Sequence, residues 1–156
     1  MTYLILKYLH IISAILLFGT GLGSAFYKWM ADRSGNIAHI AITNRNVVLA
    51  DWLFTTPTVI FQPISGIWMA NIVHMPLTTP WIMWSIVLYV IAGLCWLPVV
   101  YIQIKMKRMS ELAMQQQTQL PKLYWTYAKI WFALGVPAFI AMVLVVLLMT
   151  FKSIIL

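Results

Sequence analysis

The chain has 156 residues, is 63% hydrophobic and only 8% charged, and carries a net charge of +7 with a mean hydropathy of +0.91. So few charges cannot cover the surface of a water-soluble domain of this size. Asp32, Asp51 and Glu111 are the only acids, and no phosphate-binding glycine loop or nucleophile elbow is present, which excludes carboxylate-driven hydrolysis.

Four apolar stretches, near residues 3–29, 46–74, 80–104 and 124–151, each exceed the ~20 residues that cross a bilayer core. The expected fold class is all-α: a polytopic membrane protein, one domain over residues 1–156, forming an up-down four-helix transmembrane bundle with kinked helices. The first stretch does not read as a cleavable signal, since it is too long and ends in Tyr27-Lys28-Trp29.

Span one has an ordered face made of Tyr3, Lys7, His10, Ala14, Leu17, Gly21 and Ser24. His10 lies two turns into the span, where an ionisable residue is a functional candidate. Neutral imidazole is a common axial ligand of haem iron; a histidine hydrogen-bonded across the bundle is the structural alternative. Lys7, one turn nearer the surface, suits a carboxylate such as a haem propionate. Gly19 and Gly23 lie on nearly the opposite side, a pattern suited to close helix contact within the bundle, in a homo-oligomer, or against a larger membrane complex.

The link from Ala31 to Asn44 opens with Asp-Arg-Ser-Gly-Asn, a turn-rich set. Ile37 to Ile42 is apolar enough to lie at the membrane surface, with His39 an interfacial residue. Span two then carries an unbroken polar stripe of Asp51, Thr55, Thr58, Gln62 and Ser65, followed by Met69. At about 100° per residue these six fall within roughly 40° of one another, so the line must face other helices, a cofactor or trapped water. Pro57 and Pro63 bend this span, and the hydroxyls of Thr55, Thr56 and Thr58 suit the freed carbonyls. Met69, at a depth similar to that of His10, is a candidate second iron ligand. His74 is its rival, and a five-coordinate iron held by His10 alone is equally open.

Asp51 and Lys129 lie at matching depths in spans two and four, and a structural ion pair between them is the natural expectation. Span three offers an inward line of Ser85, Tyr89, Ala92, Trp96 and Gln103; with Trp131 it makes an aromatic, weakly polar centre suited to a porphyrin or a quinone. Past the bilayer, span three continues as a polar helix from Lys105 to Gln119, ended by Pro121. Pro98 and Pro137 bend spans three and four. Cys95 is the only cysteine, so neither an internal disulfide nor a cysteine-based cluster is possible.

Basic residues concentrate in two links: Lys28, Arg33 and Arg45 in the first, and Lys105, Lys107, Arg108 and Lys122 in the last. The positive-inside rule then puts both links in the cytoplasm and both termini on the outer, periplasmic side of a bacterial inner membrane, with Lys7 and Lys152 opposing the bias only slightly. Topology accounts for the net charge, and no nucleic acid partner is expected.

Three strings carry a family likeness: Leu6-Lys7-Tyr8-Leu9-His10-Ile11, Asp51-Trp52-Leu53-Phe54-Thr55-Thr56-Pro57 and Gly66-Ile67-Trp68-Met69. With Pro80-Trp81 and Trp96-Leu97-Pro98 they resemble, over almost the whole chain, an uncharacterised bacterial membrane family, the domain of unknown function 2269. That likeness implies no established activity. More distantly, Lys-x-x-His-Ile in span one and Thr-Pro followed by Gly-Ile-Trp in span two are similar to the HemJ-type protoporphyrinogen oxidase, a four-span haem b protein. The resemblance carries Lys7 and His10 onto its first motif, and Thr56, Pro57 and Gly66 onto its second. Where that family has a histidine-bearing element in span three, this chain reads Cys95-Trp96-Leu97-Pro98.

The leading expectation is a haem b-binding membrane protein that moves electrons, with His10 on iron, Lys7 at a propionate, and Thr55, Thr58, Gln62, Ser65 and Trp96 lining the pocket. A non-catalytic subunit docking through Gly19 and Gly23 is the second, and a small transporter using the polar stripe is the third.

Overall fold

The computed structural model describes residues 1–151, so Lys152, counted in the charge bias, lies outside the described residues. Five α-helices follow one another: α1 (Thr2–Ser34), α2 (Ile37–Ala50), α3 (Thr56–Ile72), α4 (Pro80–Gln116) and α5 (Lys122–Thr150). A π-helical segment, Asp51–Thr55, fuses α2 to α3 into one rod. Four helical rods are therefore long and apolar enough to cross a membrane. Large apolar side chains such as Leu4, Ile15, Leu94 and Val136 are exposed on their outer faces, as a lipid solvent requires. The protein is an all-α membrane bundle of four spans.

The first link is much shorter than its composition suggested. α1 runs on to Ser34, and Gly35 ends it in the left-handed conformation at φ 65° that a glycine adopts without strain. The Asn36 side chain then caps α2 by accepting the His39 N–H at 3.1 Å. Ile37 to Ile42, expected along the membrane surface, instead forms the first turns of the second rod, with Ile40 and Ala41 buried in the bundle and His39 exposed. Local capping won over surface amphipathicity because residues 40 and 41 find a core to enter. The polar extension of span three is helical to Gln116, and the left-handed Gln117 stops it; Pro121 precedes α5 rather than ending α4.

The core gathers at the end of the bundle where the two basic links lie. Ala31, Ile40, Val47, Ile102, Met106, Tyr124 and Trp131 form one buried cluster there. A buried ammonium crosses it. Lys28, 1% exposed, donates all three of its protons: to Asp32 Oδ2 at 2.9 Å, Asn44 Oδ1 at 3.1 Å and the Tyr124 hydroxyl at 3.1 Å. Tyr124 in turn donates to Asp32 Oδ1 at 2.6 Å and accepts from Asn44 Nδ2 at 3.0 Å. The second Asn44 amide proton goes to Ser110 Oγ at 3.0 Å, and that hydroxyl donates to Met106 O at 2.9 Å. Side chains from α1, α2, α4 and α5 thus share one satisfied network, the condition under which a buried charge is tolerated.

Away from this end the helices part into two pairs. α4 and α5 pack along each other and α1 packs against α3, whereas α3 makes no comparable backbone approach to α4 or α5. The π segment sits near the parting point. There the Thr56 N–H bonds to Asp51 O, a widened turn that leads directly into Pro57, which has no N–H to give. Pro63 likewise withholds the proton that would have reached Val59 O. The Tyr89 hydroxyl of α4 donates to that carbonyl instead, tying α4 to the weakened turn of α3. On the other side, the Phe18 and Phe139 rings meet edge to face, with centroids 5.6 Å apart.

Two stability outcomes follow. Lys28→Ala, which strands the Asp32 carboxylate, should destabilise the detergent-solubilised protein by ~3–5 kcal/mol, against ~1–3 kcal/mol for Tyr124→Phe, measured as a fall in thermal unfolding midpoint. A Lys28→Ala protein melting with the wild type would refute the role assigned to the network. Tyr89→Phe should cost about 1 kcal/mol when Pro63 is present and clearly less in a Pro63→Ala background, where a backbone N–H serves Val59 O. Equal costs in the two backgrounds would dissociate Tyr89 from the proline.

Candidate functional site: a histidine seam and an acid-bearing chamber

Thr55, Thr58, Gln62 and Ser65 are buried and Asp51 and Met69 half-buried, so the stripe of span two turns away from lipid. It does not serve one site. Its far half meets α1, its near half meets a chamber, and Thr58 between them is spent locally, with its hydroxyl donating to Phe54 O at 2.7 Å and lying 2.8 Å from Thr55 O.

In the α1–α3 seam His10, 8% exposed, lies with Nδ1 2.7 Å from Ser65 Oγ. The Gln62 amide donates to the His10 backbone carbonyl at 2.9 Å. Ser65 Oγ also lies 2.7 Å from Phe61 O and 3.1 Å from Gln62 O. A hydroxyl has one proton, and these two carbonyls can only accept, so we assign the proton of Oγ to them and that of the imidazole to Nδ1. Nε2 is then the unprotonated nitrogen, and it has no hydrogen-bond partner among the described residues. Gly66 borders the ring: a Cβ there would stand 3.7 Å from His10 Cε1, ordinary contact. Ser13, three residues beyond His10 on α1, is buried with a hydroxyl that no protein group meets. Sequence reading passed over Ser13; its place one turn from His10 was the available signal.

The chamber, of about 350 Å³, lies between α1, the π segment, α4 and α5. Phe18, Gly21, Tyr89, Trp96, Trp131 and Phe132 are among its walls, with Asp51, Thr55 and Gln103 as its polar edge. Gln103 Nε2 donates to Asp51 Oδ2 at 2.7 Å, and Trp131 Nε1 donates to Gln103 Oε1 at 3.3 Å, which fixes the amide orientation. Thr55 and Trp96 stand beside the same carboxylate. Of the inward line expected from span three, Tyr89, Ala92, Trp96 and Gln103, and Trp131 with them, do meet around this space, whereas Ser85 is buried with its hydroxyl donating to Trp81 O at 2.6 Å and does not border it. His10, Gln62 and Ser65 do not border it.

The expected ion pair between Asp51 and Lys129 is not formed. Lys129 is exposed, Asp51 takes the Gln103 amide, and the ion pairs among the described residues are Lys28–Asp32 and Lys107–Glu111. Matching depth did not suffice, because Lys129 sits on a face of α5 turned away from the bundle. Lys7 is exposed, and His74 is exposed at the end of α3 with a left-handed φ of 51°. Met69 is one helical turn past Ser65. No cluster of three or more His, Cys, Asp or Glu able to hold a metal ion occurs among the described residues. Gly19 and Gly23 would meet nothing within 4 Å if given a Cβ, so their face makes no close contact inside the chain. The Lys28 network was also missed from sequence, where Lys28 served as a charge marker and Asp32 as a turn residue.

Comparison with curated proteins and with solved structures found no match. The family described as "Predicted integral membrane protein (DUF2269)" matches residues 4–153, nearly the whole chain, and the protein belongs to that family.

Proposed function

We propose that this membrane protein binds haem b through His10 Nε2 and has a redox or porphyrin-related role. One observation carries the reading: the buried His10 Nδ1 stands 2.7 Å from Ser65 Oγ, and with the ring proton assigned to Nδ1 the Nε2 lone pair is left unclaimed. A hydrogen bond on the other ring nitrogen is how a metal-ligating histidine is oriented. The residues present fit one axial ligand, and the unmet Ser13 hydroxyl one turn away fits a further group at this seam. Lys7, exposed one turn toward the terminal end, suits a propionate. Haem, when bound, supplies one-electron chemistry. The chain's own part is to fix the imidazole tautomer through Ser65, keep the α1 backbone at His10 docked through Gln62, and exclude water by packing.

The chamber is not where this haem would sit, because no histidine borders it. The open side of α1, where Ile11, Ile15 and Leu16 are exposed, leaves room beside the seam. The Gly19 and Gly23 face, also open, is where a second copy or a larger membrane partner would pack.

Protein purified from haem-replete cells should show a Soret band that His10→Ala abolishes and Ser65→Ala weakens, while Asp51→Asn leaves it intact. A colourless wild-type preparation, or a band indifferent to His10, sinks the reading.

The same reading includes orientation in a bacterial inner membrane. Arg33, Arg45, Lys107, Arg108 and Lys122 all lie on the helical segments flanking the two turns at the core end, against Lys7 at the other. The positive-inside rule then makes the core end cytoplasmic. Alkaline phosphatase fused to the C-terminus should be active, and the same enzyme fused at Thr118 should not; the reverse pattern would invert the topology.

A further inference from the structure

Asp51 lacks what a buried carboxylate normally has. Among the described residues no cation pairs with it, and the groups around it, Gln103, Thr55 and Trp96, are neutral. Neutral donors orient a carboxylate without supplying a counter-charge, and inside a helical bundle an uncompensated charge is expensive. The carboxylate edges a chamber of about 350 Å³, a volume within the range of small-molecule sites. Six aromatic side chains, Phe18, Tyr89, Trp96, Trp131, Phe132 and Phe139, border it among small and aliphatic ones. An anion beside aromatic rings is the chemistry that recognises an organic cation, by charge at one point and by cation–π attraction where a ring meets it.

The way in is from the membrane. Leu22 and Val136 line the chamber and are at the same time among the residues most exposed to the bilayer, Leu22 on α1 and Val136 on α5. Gly21 and Gly135 thin the walls beside them, and a Cβ at either would meet nothing within 4 Å. An occupant must therefore be lipid-soluble as well as positively charged.

We propose that the chamber is a binding site for a lipophilic organic cation, which enters from the bilayer between α1 and α5 and pairs with Asp51. The site is independent of the His10 seam. A neutral quinone would find the Gln103 amide and the Trp131 N–H already engaged with one another and with the carboxylate, and would leave the charge of Asp51 unanswered.

The test uses the full chain in mild detergent, with tetraphenylphosphonium as the probe and tetraphenylsilane as its neutral isostere, each followed by quenching of tryptophan fluorescence. The wild type should bind the cation at least tenfold more tightly than the isostere. Asp51→Asn should erase that preference, and Gly135→Leu, which fills the chamber without touching Asp51, should abolish binding of both while leaving the unfolding midpoint near that of the wild type. Equal binding of cation and isostere by the wild type overturns the proposal, whatever the variants do. So does a preference that survives Asp51→Asn. The Soret band of the His10 seam reads out separately, so failure here and failure of the haem reading are distinguishable.

Discussion

The structure depends on an ammonium group that should not be where it is. Lys28 is withdrawn from solvent almost completely, and it persists because Asp32 supplies a counter-charge while Asn44 and Tyr124 take the remaining protons. Each of those partners comes with its own second bond, so no member can leave without stranding another. Apolar packing between helices in a bilayer has little directional content, because lipid chains offer the same contacts. A polar network is different: it specifies which residue of α1 stands opposite which residue of α2, α4 and α5. Register at the core end is therefore fixed by hydrogen bonds, and the apolar cluster around Met106 and Tyr124 fills in behind them.

Fixing one end releases the other. Because the bundle is pinned at the core end, α1–α3 and α4–α5 can part along their remaining length without loss of topology. The prolines act on this freedom. Pro57 meets a π turn and Pro63 exposes a carbonyl, so the middle of the second rod is the place where its path can change. Tyr89 then bridges the gap through a single hydrogen bond where closer packing would have erased the chamber. Small residues, Gly21, Ala92, Gly93 and Gly135, line the space on the opposing helices, and no side chain grows into it from those positions. The chamber is the combined result of a pinned end, a widened turn and missing side chains.

Spans and the inward face of the polar stripe were legible in the sequence, because lipid enforces a strong rule: polar side chains at depth must turn inward. Pairing was much less legible. Asp51 and Lys129 have complementary charge and matching depth, yet the direction in which α5 presents Lys129 is set by Tyr124 and Trp131, large residues that claim the inner face. The seam and the chamber were read as one pocket for a related reason. A helical wheel shows angle and not distance along the axis, so His10 and Trp96 look convergent when each meets a different stretch of the second rod. The first link misled through composition, since Asp-Arg-Ser-Gly-Asn resembles a long loop although Gly35 alone performs the turn.

The separation of the two features constrains any mechanism built on them. Ser65 and Thr55 are ten positions apart on the second rod, about 15 Å at the helical rise. His10 therefore cannot exchange a proton with Asp51 directly, and Thr58, which stands between, has its hydroxyl turned back onto the carbonyls of its own helix. Communication between seam and chamber has to go through the backbone of α3. That segment contains Pro63, whose freed carbonyl is held by Tyr89 from the chamber wall, while Ser65, two residues on, holds the imidazole. The two sites are chemically independent and lie next to each other along α3, on either side of the turn in which Pro63 withholds its backbone bond.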